Sequence, residues 1–231
     1  VLSCHAANQN RHEDVGLKTA YHSFQASAGM FTYINENFLH APSQDLSRET
    51  VQTLIRIMLA QGQEVFIEKQ IADGKKPGLL AKLASQAAFI YAQAVEGTQD
   101  NVSRAVFERV WLLTVQIKQH HMASLAQYYQ AVADYEANSY GQAICRLQAG
   151  LSASKEASRL ANSFPSSVPS SSNLSSETGT VLVDVVKKHM ATIQERIAEY
   201  NRDNDMIYHQ PVPVEANLPS IPKLPAAKAI P

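Results

Sequence analysis

Two cysteines, one tryptophan and nine glycines in 231 residues leave several functional classes without material. Cys4 and Cys145 lie far apart in sequence, so a disulfide framework is not expected and a reducing compartment is favoured. No stretch approaches the ~18 uninterrupted apolar residues of a membrane span. Basic excess is also missing. Lys and Arg number 20 against 21 Asp and Glu, a net charge of −1, without the positive footprint of a nucleic-acid binder. Strand-like alternation is absent too, and no clean tetratricopeptide sequence repeat can be traced.

What the chain has is helical periodicity. Residues 16–40 carry Leu17, Tyr21, Phe24, Ala28 and Phe31 at spacings of three and four, the stripe of an amphipathic helix ended by Pro42. Ser47 is placed as an N-cap for a second helix over 48–72. A Gly-Lys-Lys-Pro-Gly turn leads to a third helix over 78–96. After EGTQDN come helices over about 102–136, 139–162 and 181–205. Short turns between long helices predict stacked hairpins, in solenoid or bundle form.

Two segments stand apart. SFPSSVPSSSNLSSETGT (163–180) holds ten Ser/Thr in eighteen residues and reads as a disordered surface insertion. YHQPVPVEANLPSIPKLPAAKAIP holds six prolines in 24 residues and reads as an extended strap, with polyproline II character, lying on the domain or leading away from it. Val1 in place of Met, followed by helix-like sequence, gives the chain the look of a fragment of a longer one.

Catalytic and ligand motifs fail on spacing. ADGKKPGLL lacks the G-x-x-x-x-G-K-[ST] pattern of a phosphate loop, and a helix precedes it where a strand should. The acidic run at Asp203 and Asp205 has Tyr208 and Val214 where a calcium loop needs Gly and Glu, so it reads as a helix stop. His120 and His121 point about 100° apart on a helix. Glu36 and His40 have metal-ligand spacing, but no second pair accompanies them. A helical metalloenzyme using these residues stays open as an alternative; no catalytic residue, metal or cofactor is expected. On the third helix, Leu79, Leu83 and Ile90 form one edge of an apolar arc of about 140°, wider than the ~100° that one-sided packing needs. That edge is either displayed to a partner or packed by a second neighbour, and Phe89, outside the arc, favours the second neighbour.

Four stretches carry a family resemblance: GLKTAYHSFQASAGMFTYI (16–34), LIRIMLAQGQEVFIEK (54–69), YGQAICRLQ (140–148) and RDNDMIYHQPVP (202–213). Together they resemble the BRO domain of the Alix and BRO family of endosomal-sorting scaffolds, and the tail IPKLPAAKAIP is most similar to the fungal vacuolar-sorting branch. The resemblance implies an all-α fold of tetratricopeptide-like helix hairpins in a curved, boomerang-shaped solenoid. Residues 1–210 would form the C-terminal two-thirds of the domain, and 211–231 the proline-rich strap. It implies a non-enzymatic adaptor, cytoplasmic and recruited to endosomes, that binds the C-terminal amphipathic helix of an ESCRT-III filament subunit in multivesicular-body sorting. No nucleic-acid or small-molecule partner is implied. Carried over position by position, the apolar contacts fall on Phe66, Leu79 and Leu83 and the polar contacts on Asp14, Lys18 and Lys69. A scaffold of fungal ambient-pH signalling shares the domain and is the alternative within the family.

Overall fold

The computed structural model describes residues 1–38, 43–164 and 176–230. Among these the regular structure is all helical: α1 (Leu2–Ala7), α2 (Asp14–Asn37), α3 (Arg48–Ala72), α4 (Pro77–Ser103), α5 (Arg109–Glu136), α6 (Tyr140–Asn162) and α7 (Ser176–Asp203). A single π-helical turn (Asn204–Tyr208) follows α7. His40 and Pro42 lie outside the described residues, as does 165–175 of the serine-rich segment.

The helix ends follow from local chemistry. Ser47 Oγ accepts the Thr50 amide at the start of α3, as its position before the apolar stripe predicts. The Gly-Lys-Lys-Pro-Gly turn closes α3 with two bonds, Lys75 N–H to Gln70 O (3.1 Å) and Gly74 N–H to Ile71 O (3.0 Å). This double closure requires a left-handed residue, and Gly74 supplies it at φ 64°. Pro77 then opens α4 at its first turn, where the missing N–H costs nothing. Asn138 (φ 62°) closes α5 in the same way. Turns this short make α4 antiparallel to α3 and α6 antiparallel to α5, and packing runs from neighbour to neighbour along the chain.

The α4–α5 boundary differs from expectation, as does the start of α7, which falls at Ser176 within the expected insertion. EGTQDN does not break the chain; α4 runs through it to Ser103. The reason is tertiary. Asn101 accepts from Thr50 Oγ1 (2.6 Å) and donates to Gly97 O (2.8 Å), and Thr98 Oγ1 donates to Ala94 O. Gly97 lets α3 come close, since a Cβ there would stand 2.2 Å from Thr53 Oγ1. The polar run is thus a helix contact, and the break falls at Arg104–Glu108 with Ala105 left-handed at φ 57°.

Three apolar clusters hold the array. The first joins α1–α4 and α5 through Leu17, Phe24, Val65, Leu83, Tyr91 and Met122. The second joins α5, α6 and α7 through Val110, Ile117, Leu160, Phe164 and Val186. The third closes the other end of those helices through Ile144, Leu147, Ile193 and Tyr200. Phe164 is 1% exposed, so the serine-rich segment begins inside the packed body, and its residues 176–180 belong to α7.

The chain from His209 to Ile230 turns back across the helices. The acidic exit of α7 serves as a clasp: Asp203 accepts from Tyr135 OH (2.8 Å), and Asn204 bonds both backbone groups of Gln210. Arg146 donates to Asp134 and to Pro219 O, Ser85 Oγ to Ile221 O, and Leu224 N–H to Lys82 O. The segment ends on α2, where Gln25 holds Lys228 and Ile230.

Candidate protein-binding groove

The six carried-over residues come from the start of α2, the end of α3 and the start of α4, which the Gly74 turn and the α2–α3 packing bring to one end of the array. The polar three meet directly. Lys69 Nζ lies 2.8 Å from Asp14 Oδ1, and Lys18 Nζ lies 2.6 Å from Asp14 Oδ2. Lys69 also reaches Asp73 at 3.1 Å. Hydrogen bonds from Lys18 and Lys69 hold the Asp14 carboxyl below its ordinary range, and Asp14 and Asp73 hold the Lys69 ammonium above its own. Two carboxylates against two ammonium groups leave a neutral, solvated rim that can exchange partners without burying a bare charge.

One turn inward, Phe66 lies against the Tyr21 ring, with centroids 5.4 Å apart and planes tilted by 40°. Tyr21 in turn donates to Ala226 O at 2.7 Å. An ionic rung and an aromatic rung therefore tie α2 to α3, each built from one residue of α2 and one of α3.

The two leucines are not equivalent. Leu79 is half-buried at the edge of the first cluster. Leu83 is 1% exposed and Ile90 8%. The displayed edge expected of Leu79, Leu83 and Ile90 is therefore open only at Leu79; elsewhere a second neighbour packs it, the other of the two readings. Leu83 and Ile90 pack in the first cluster with residues of α2, α3 and α5, and the 209–230 segment bonds to Lys82 and Ser85 on either side of Leu83. Phe89 lies outside the arc, 40% exposed beneath the Lys223 ammonium, 4.0 Å from its ring centre.

Sequence reasoning missed Tyr21, Gln25, Gln63 and the backbone of Leu224–Lys228, which complete this face. A signal for the glutamines was present, since both stand in helical stripes that are otherwise apolar or small.

The remaining candidates do not gather. Glu36 is exposed, and among the described residues no three His, Cys, Asp or Glu side chains form a group that could hold a metal. The His121 ring meets His189 of α7 edge-on at 5.1 Å. A separate concavity of about 700 Å³, lined by Phe24, Met58, Phe107, Trp111 and Lys118 among others, includes none of the six carried-over residues.

Against known proteins, the family model of the BRO1-like domain matches residues 1–231. This chain belongs to the BRO1-like family. Over its full length it is 69% identical to the vacuolar protein-sorting protein bro-1 of Neurospora crassa, of which it spans 23%. Its backbone matches the ALIX BRO1–CHMP4C complex with a TM-score of 0.83 at 32% identity, over 98% of this chain and 58% of that one. A Bro1-domain structure described as the basis for endosomal targeting matches with a TM-score of 0.81 at 25% identity, over 99% of this chain and 59% of that one. The chain thus spans less than a quarter of the Neurospora relative. The BRO1-like fold accounts for the neighbour-to-neighbour helix packing, and no described helix is long and apolar enough to cross a membrane.

Proposed function

We propose that this BRO1-like chain is a non-enzymatic adaptor that seats the C-terminal amphipathic helix of an ESCRT-III filament subunit, and so acts in vacuolar and endosomal cargo sorting from the cytoplasmic side of endosomes. In this reading the helices pair as tetratricopeptide-like hairpins in a curved solenoid, and residues 211–231 form its proline-rich strap. The single observation that carries the proposal is the likeness to ALIX BRO1, a domain seen in complex with CHMP4C, over 98% of this chain. The names of the fungal relatives place them in vacuolar protein sorting.

The geometry suits the task. A partner helix lays its i, i+3, i+4 stripe into an apolar groove. Here Phe66 and Leu79 offer half-buried apolar surface, and Leu83 supports Leu79 one turn along the same helix. Asp14, Lys18 and Lys69 stand at the rim, where charges set register and encounter rate more than affinity. A titration of the full-length protein with a fluorescent peptide of the ESCRT-III C-terminal helix tests the proposal. Micromolar binding by wild type that Leu79→Asp abolishes, with an unchanged circular dichroism spectrum, is the expected result. Equal binding by both proteins moves the groove elsewhere.

A further inference from the structure

Gln63 is 0% exposed in the middle of α3, and its amide uses every bond it can make. Nε2 donates to Leu83 O (3.1 Å) and to Leu224 O (3.0 Å). Oε1 accepts from the amides of Ala226 (2.8 Å) and Ala227 (3.1 Å). One side chain thus holds the α4 backbone at Leu83 and three residues of the returning segment. A buried amide is costly when unpaired, so its four bonds stand or fall together.

The same four bonds touch the groove from two sides. Leu83, whose carbonyl Gln63 holds, is a carried-over contact. Ala226, whose amide Gln63 holds, accepts the Tyr21 hydroxyl, and the Tyr21 ring lies on Phe66, a second carried-over contact. Burial keeps the Tyr21 phenol above its ordinary range, so it remains a donor throughout the neutral range. A closed circuit of Gln63, Ala226, Tyr21 and Phe66 joins segment 221–230 to the groove wall.

We propose that Gln63 is the positioning residue that makes docking of segment 221–230 and seating of the partner helix one linked equilibrium. Release of the segment frees Tyr21 to move off Phe66, takes away three of the Gln63 amide's four partners and removes the bonds to Lys82 and Ser85 on either side of Leu83, so the groove loses its fixed shape. By reciprocity, a helix that binds the set groove tightens the segment by the same factor. The inference rests on the ESCRT-III reading above.

Hydrogen exchange and peptide titration on the full-length protein test it together. In Gln63→Met, which keeps the volume and removes the bonds, 221–230 should exchange faster while α2–α6 stay protected. The Kd for the fluorescent ESCRT-III helix peptide should rise about tenfold, equivalent to about 1.4 kcal/mol. Tyr21→Phe, which keeps the ring on Phe66 and removes one hydroxyl, should move both readouts in the same direction by a smaller factor, and it stands in if the core variant fails to fold. In wild type, saturating peptide should slow exchange at 221–230. A variant that frees the segment yet binds as wild type does overturns the coupling alone. Unchanged exchange at 221–230 in both variants overturns the clamp. A wild-type protein that does not bind the peptide overturns the groove reading and the coupling with it, while the exchange data still report on the clamp.

Discussion

Lys69 reaches across 55 positions of chain to place its ammonium 2.8 Å from Asp14 Oδ1, joining α3 to α2 at the rim of the groove. The pair is half-exposed and Asp14 keeps Lys18 as a second partner, so the bridge contributes little to folding. Lys69→Ala should therefore lower stability by less than about 1 kcal/mol. Its effect should appear in binding instead, as a slower association rate and a weaker salt dependence for the partner helix. Stopped-flow association at two ionic strengths checks this; an unchanged rate at low salt places Lys69 outside the encounter surface.

Leu79 and Leu83, four residues apart on α4, should separate binding from folding. Leu79→Asp puts a carboxylate on half-exposed surface, where water can reach it, so the domain should stay folded and lose its partner. Leu83→Asp puts one at a position 1% exposed, and an unpaired buried charge should cost more than about 3 kcal/mol of stability. Thermal melts run beside the peptide titration separate the two. A Leu83→Asp protein that melts like wild type would mean that the cluster around Leu83 gives way easily at that point.

How much of this was legible in the sequence depends on how far away each cause lies. The limits of α3 were readable because Ser47, Gly74 and Pro77 act on their own neighbours. The course of α4 through Glu96–Asn101 was not, because Thr50 and Thr53 on another helix bond the buried Asn101 side chain. The apolar content of the groove could be read from periodicity. That Gln63 ties Leu83 to Leu224–Ala227 could not, since those partners lie some 140 positions later and the polar residue in an apolar stripe marks the donor without naming them.

Ala105 closes α4 at φ 57°, with Val106 N–H to Asn101 O (2.9 Å) and Ala105 N–H to Val102 O (3.0 Å) around it. An L-residue with a Cβ is strained there by about 1–2 kcal/mol, and glycine gives back part of that gain through its freer unfolded chain. Ala105→Gly should stabilise the protein by roughly 1 kcal/mol and raise its Tm by about 2–4 °C. A lower Tm would show that the methyl group makes contacts worth more than the strain.

Acid should loosen α7 before the rest of the array. Ser124 donates to Gly150 O (2.7 Å), so the His189 Nε2 that meets it at 3.0 Å is the donor of that contact. His121 lies against the His189 ring, and its enclosed Nδ1 has no hydrogen-bond partner among the described residues. Burial pushes both imidazoles down, His121 to about 4 and His189 to about 3; Glu64 opposes the shift at His121, Lys118 adds to it, and His121 adds to it at His189. Both rings are therefore neutral in the folded protein at pH 5, whereas in the unfolded chain they take up protons below about 6.5. Their neutral packing contributes stability above that value, and the contribution is lost as pH falls from 6.5 towards 4 for His121 and towards 3 for His189, at up to ~1.4 kcal/mol per unit and per ring. Between pH 7 and pH 5 the loss should be roughly 4 kcal/mol for the pair. Urea unfolding across that range checks it, with α7 followed by hydrogen exchange. The double variant His121→Phe, His189→Phe should show a flatter profile by the same amount; an unchanged slope would assign the acid sensitivity to other groups.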